Sequence, residues 1–155
     1  MRRHLPLVLV VAIGSLIGLG GFTFVYAKGY SYLRDDPASC ANCHVMSEHL
    51  SAWEKGSHRN AATCNDCHTP HDLVGKYTVK ARNGFWHSFY FTTGRYPDPI
   101  RITPPNHEVT EEACRYCHEE LTVAIDHGGV TGSSEGPEDR LTCTRCHRYV
   151  GHWVR

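Results

Sequence analysis

All eight cysteines of this 155-residue chain fall in one repeated pentapeptide: Cys40-Ala41-Asn42-Cys43-His44, Cys64-Asn65-Asp66-Cys67-His68, Cys114-Arg115-Tyr116-Cys117-His118 and Cys143-Thr144-Arg145-Cys146-His147. None is left over. Two thiols three residues apart match the two vinyl groups of one haem as thioether partners, and the histidine that follows presents an imidazole to the iron. Zinc sites also use C-x-x-C pairs, and exported chains use cysteines for disulfides, but neither needs a histidine after every pair. With 12 histidines in 155 residues, four such coincidences have a chance on the order of 10⁻⁵ to 10⁻⁴. The spacing therefore predicts four covalently bound c-type haems, held through Cys40, Cys43, Cys64, Cys67, Cys114, Cys117, Cys143 and Cys146.

The remaining sequence supplies little else to fold around. Residues 5–27 are 23 positions without a charge, roughly 34 Å of helix against a hydrocarbon core of about 30 Å. The run exceeds the h-region of a cleaved signal, so it reads as a retained membrane anchor contacting lipid. Residues 1–4 then form a cytoplasmic N-terminus carrying Arg2 and Arg3, and the positive-inside tendency puts residues 28–155 on the outer, periplasmic face of an inner membrane. Apart from cysteine, only 38 of those last 128 residues are apolar, and glycine raises the share to about 37%, below the roughly 45–50% of a soluble domain. The haems must supply the core. With 16 basic and 16 acidic residues there is no cationic excess to attract nucleic acid. Period-two alternation is missing, so the expected fold is mainly α with much irregular chain, short helices wrapped on haems.

Closely spaced covalent haems suit electron transfer, and their axial ligands decide whether any iron is left open. His68, His118 and His147 are proximal candidates. His58, six residues before Cys64, and His152, five after His147, are candidate distal ligands, whereas His71, His107 and His127 read as ordinary surface histidines. Met46 follows His44 by two residues, a reach of at most about 7 Å, so the two cannot clasp one iron from opposite faces. Either Met46 packs on the porphyrin, or it replaces His44 on the proximal side.

Asp72 to Phe91 reads as a helix ending near Gly94, with Lys76, Lys80, Asn83 and His87 on one face and aromatic residues on much of the other. That face is either a solvated cationic stripe or a quinol pocket, in which lysine hydrogen-bonds a quinone oxygen and a neighbour accepts the released proton. Thr92 to Thr110 reads as a proline-rich connector between the motif pairs at 40–68 and 114–147, and Thr131 to Asp139 as a polar loop.

The single anchor, Ser31-Tyr32-Leu33 leading to Asp36-Pro37, the run from Cys40 to Met46, Ser57-His58, Lys80-Ala81-Arg82 and the late His152 together resemble the NapC/NirT family of membrane-anchored multihaem quinol dehydrogenases, over nearly the whole chain. The likeness is to its small-subunit, NrfH-type branch. The resemblance implies that Met46 ligates the first iron, that His58 and His152 are distal ligands, and that a lysine from a catalytic subunit completes the second haem. It further implies menaquinol oxidation near Lys80, with Lys76 one turn away, and delivery of electrons to a multihaem nitrite reductase subunit that makes ammonium. That is a hetero-oligomer in which this chain binds no nitrite. A position usually aspartate in the family is Asn83 here, which cannot ionise. His87, on the same face, is the expected substitute proton acceptor. The rival readings are a NapC-type donor to another periplasmic reductase, a passive tetrahaem shuttle and, remotely, a zinc-binding module.

Overall fold

The computed structural model describes residues 4–128 and 142–152, with the side chains of 126–128 excepted. Arg2, Arg3, the side chain of His127 and the polar loop at 131–139 lie outside the described residues. Eight α-helices lie within it, and no strand occurs among the described residues: α1 Leu5–Tyr26, α2 Pro37–Cys40, α3 Ser47–Glu54, α4 Cys64–His68, α5 Leu73–Thr93, α6 Pro104–Cys117, α7 Glu119–Gly128 and α8 Cys143–Cys146. Single 3₁₀ turns at Gly29–Leu33 and His44–Met46 complete the list.

The chain divides into two compact units, Met1–Arg34 and Asp35–Arg155. In the first, α1 is a 22-residue apolar helix with no buried residue. At about 33 Å it is long enough to cross a bilayer.

The second unit has almost no core of side chains. Among the described residues only Val79 and Ala113 are buried apolar groups, beside buried Thr69, Lys80 and Glu111. The helices that carry motif cysteines, α2, α4, α6 and α8, hold four to 14 residues, and local caps set the starts of α2 and α4. Asp36 caps α2 by accepting from the Ala38 N–H at 3.0 Å. Thr63 and Asp66 form a capping box on α4, with the Thr63 N–H and hydroxyl both donating to the Asp66 carboxylate.

The long helix α5 behaves as its sequence predicts. Asp72 accepts from the Gly75 N–H at 2.7 Å, and a side chain at Gly75 would collide with that carboxylate. At the other end Gly94 takes φ +65, the left-handed conformation that closes a helix at little cost to glycine. The connector is shorter than the sequence suggests. Pro104 and Pro105 open α6 as its first residues instead of extending the loop, because a missing N–H is no loss in a first turn. Helix α4 packs on α6, α2 on α3 and α4, and α6 on α7 and α8.

Candidate functional site

The four motifs follow one another in space. The Cys40 and Cys64 thiols share a hydrogen bond, which lowers the first to about 7 and raises the second. Cys67 lies within electrostatic reach of Cys114 and Cys117, and Cys114 within reach of Cys143. Adjacent motifs thus turn their attachment points toward each other. All eight cysteines are unpaired. Among the described residues no three His, Cys, Asp or Glu side chains converge as a chelating group, so the zinc reading finds no site there.

The candidate iron ligands come together across long stretches of chain. The His58 ring lies 6.0 Å from that of His118, and the His152 ring 6.1 Å from that of His68. Two imidazoles sharing one iron are separated by two metal–nitrogen bonds plus the ring radii, about 6 Å. His58 Nδ1 faces the Val150 carbonyl at 3.2 Å, so a proton held there leaves Nε2 as the free donor atom. That contact depends on Gly56, where a side chain would collide with the Gly151 carbonyl. His68 is pushed down to about 4 by burial and by the nearby His152, His49 and His87, so its imidazole is neutral, the form that binds metal. Met46 is half-buried in its 3₁₀ turn while His44 is exposed.

These features fit haem. The donors are imidazoles and a thioether, the thiols stand in vinyl-spaced pairs, and the scarcity of buried apolar side chains among the described residues leaves the interior to be filled by the macrocycles.

Beside the first motif lies an ionic cluster. Lys76 Nζ donates to Asp35 Oδ2 at 2.6 Å and Lys80 Nζ to Asp35 Oδ1 at 3.0 Å. The Asn65 amide donates to Oδ1 as well, at 2.8 Å. Lys80 is 3% exposed, and its charge acts on the Cys40 thiol. The hydrogen bond from Lys76, opposed by partial burial and reinforced by Lys80, holds Asp35 below the usual carboxylate range. Lys76 and Lys80 are therefore brought together as expected. Asn83 is half-buried on the same helix. His87 lies at the surface, where crowding protein atoms lower its pKa by desolvation, and its field reaches His68.

Two residues escaped the sequence reading. Asp35 carries no sequence signal of its role, since nothing in the sequence marks a pairing 41 and 45 residues away. Glu111, on α6, is buried and accepts from the Cys143 N–H at 2.6 Å, the Thr144 N–H at 3.0 Å and the Thr144 hydroxyl at 2.5 Å. It caps α8 from another helix. Burial raises its pKa, but the donors from Thr144 and Cys143 together outweigh burial and leave the carboxyl below its ordinary value. His107, expected to be an ordinary surface histidine, joins this network through Thr144 Oγ1 at 2.8 Å.

The sequence matches the NapC/NirT cytochrome c family, N-terminal region, over residues 1–155. It is 36% identical over 143 residues to the cytochrome c-type protein NrfH of Wolinella succinogenes, covering 88% of this chain and 80% of that one. It is 31% identical over 139 residues to the cytochrome c nitrite reductase subunit NrfH of Nitratidesulfovibrio vulgaris, covering 90% and 80%. Among solved structures, the fold is similar to a chain in the crystal structure of the cytochrome c nitrite reductase NrfHA complex bound to the HQNO inhibitor. That match has a TM-score of 0.64 and 28% identity, and covers 91% of this chain and 88% of the other.

Proposed function

This chain belongs to the NapC/NirT cytochrome c family, and we propose from that premise that it is the quinol-oxidising, electron-donating subunit of a cytochrome c nitrite reductase. It is a single-pass membrane protein carrying covalent c-type haem. Four haems are attached, one per motif, with the haem unit on the periplasmic face. Menaquinol is the electron source. A catalytic multihaem subunit is the recipient, reduces nitrite to ammonium, and completes the second haem with its own lysine.

The observation that carries this reading is the buried Lys80, held with Lys76 on one carboxylate beside the first motif. Two ammoniums and one carboxylate leave a net positive site. Such a site binds a quinol oxygen and favours its deprotonated form, the step that precedes loss of an electron. The haems supply one-electron acceptance and conduction. Met46 would hold the first iron, His68, His118 and His147 would hold the irons at their own motifs, and His58 and His152 would hold irons bound elsewhere in the chain. His87, on the same helix face, takes up a released proton. A passive shuttle has no use for a buried lysine, paired with a second on one carboxylate, at its entry.

Gentle detergent extraction, affinity purification of the chain and identification of its companion tests the reading. A stable multihaem nitrite reductase and quinol-driven ammonium formation are expected. A nitrate reductase in its place would move the chain to a NapC-type role, and absence of quinol oxidation would leave a passive shuttle.

A further inference from the structure

We propose that Asp35 is a positioning residue for quinol oxidation: its carboxylate fixes the place of the Lys80 ammonium beside the first motif. The inference rests on the quinol-site reading above.

The cluster is asymmetric. Lys80 is 3% exposed, whereas the Asp35 side chain is 53% exposed and reaches inward from the segment preceding the first motif. A buried ammonium is costly without a compensating charge. Asp35 ion-pairs with Lys80 at 3.0 Å. The partner is itself restrained from three directions, by Lys76 on α5, by Lys80 on α5 and by Asn65 in the second motif. The next residue, Asp36, is occupied separately as the cap of α2. Two consecutive carboxylates thus divide the work: Asp36 holds the first motif's helix, and Asp35 joins that segment to α5 and to the second motif.

This geometry also says what Asp35 does not do. Oxidation of a hydroquinone delivers two electrons, singly, to ferric haem and releases two protons. A carboxylate already accepting from two ammoniums and an amide has little affinity left for either proton. Asp35 therefore sets the electrostatics of the site, and proton uptake falls to another group. Without Asp35, the Lys80 ammonium loses the carboxylate that holds its position, and a quinol oxygen loses a fixed cationic donor.

The test uses the full-length holoprotein in detergent with its native partner, and menadiol as the quinol probe. Asp35→Asn is expected to slow menadiol-driven haem reduction about tenfold or more, chiefly in kcat, while dithionite still reduces all haems with an unchanged spectrum. Asp35→Glu should recover most of the rate. A charge swap, Asp35→Lys with Lys76→Asp, returns a carboxylate to within one turn of Lys80 along α5 and should also recover activity. If Asp35→Asn does not accumulate with its haems, the swap decides alone: active supports the role, and folded yet slow overturns it. Normal kinetics in Asp35→Asn alongside a slow Lys80→Leu would overturn the role of Asp35 and leave the quinol site standing. Normal kinetics in both would remove the quinol site itself.

Discussion

The first and second motif pairs are each tied together by one acidic side chain acting over a long stretch of sequence, yet the two acids work differently. Asp35 is exposed and accepts from two ammoniums and an amide. Glu111 is buried and accepts from two backbone N–H groups and a hydroxyl. In the first region the carboxylate holds two ammoniums together beside the first motif. In the second it satisfies donors that would otherwise be orphaned at a helix start, leaving nothing over for chemistry. On the proposed reading the first pair is where quinol reacts and the second conducts, because the first sets two ammoniums on one carboxylate beside a motif whereas Glu111 accepts from backbone and hydroxyl donors.

The sharpest way to break this contrast is Lys80→Leu. If the first region holds the reacting groups, quinol-driven reduction should fall about 10²-fold, while a chemical reductant still reaches every haem. Stopped-flow reduction of the haem bands by menadiol and by dithionite separates the two. Equal loss with both reductants would mean that the substitution damaged haem packing and that the lysine has no part in quinol chemistry.

Glu111→Ala probes the other side. It strips the α8 start of its cap and leaves two N–H groups and a hydroxyl without their buried acceptor, a loss of about 2 kcal/mol. Thermal unfolding should shift down by several degrees, with the rate of menadiol oxidation at the first haem retained. The same carboxyl gives a pH signature. Its pKa lies below the ordinary carboxylate value, so its contribution is complete above that ordinary value and is lost as pH falls through the depressed one. Acid unfolding of the wild-type protein should therefore show an extra loss of stability below about pH 4 that Glu111→Gln lacks.

His87→Gln tests the extent of the first region, since His87 shares the α5 face with the lysines while its field reaches His68 of the second motif. As proton acceptor it is expected to matter about tenfold, and to shift the pH dependence of quinol oxidation. An unchanged rate and pH profile would remove it from the site and leave solvent as the acceptor.

Much of this arrangement was legible in the sequence because it depends on local spacing. The cysteine pairs, the α5 boundaries at Asp72 and Gly94, and the lysines one turn apart need only neighbours within a few residues. The mainly helical fold with few buried apolar residues follows from the same composition arithmetic. What was not legible is non-local: Asp35 meets partners 41 and 45 residues away, and Glu111 meets its partners 32 and 33 residues away. No periodicity marks such pairs. The connector was read too long for the opposite reason, since Pro104 and Pro105 signal a loop and a helix start equally well, and packing of α6 on α4 decided for the helix.

The smallest effect concerns Asp36, the local counterpart of Glu111. Both cap a helix carrying a motif, but Asp36 does so from the adjacent position, at the surface, with a single bond to the Ala38 N–H. Water can replace an exposed acceptor and cannot easily replace a buried one. Asp36→Ala should accordingly cost about 1 kcal/mol or less, at most half the loss at Glu111, and should leave menadiol kinetics within about twofold of wild type. Parallel denaturant titrations of the two alanine variants measure the difference directly. If Asp36→Ala proved the more damaging, the first region would depend on its carboxylates for structure as heavily as the second, and the division between a reacting half and a conducting half would have to rest on the lysines alone.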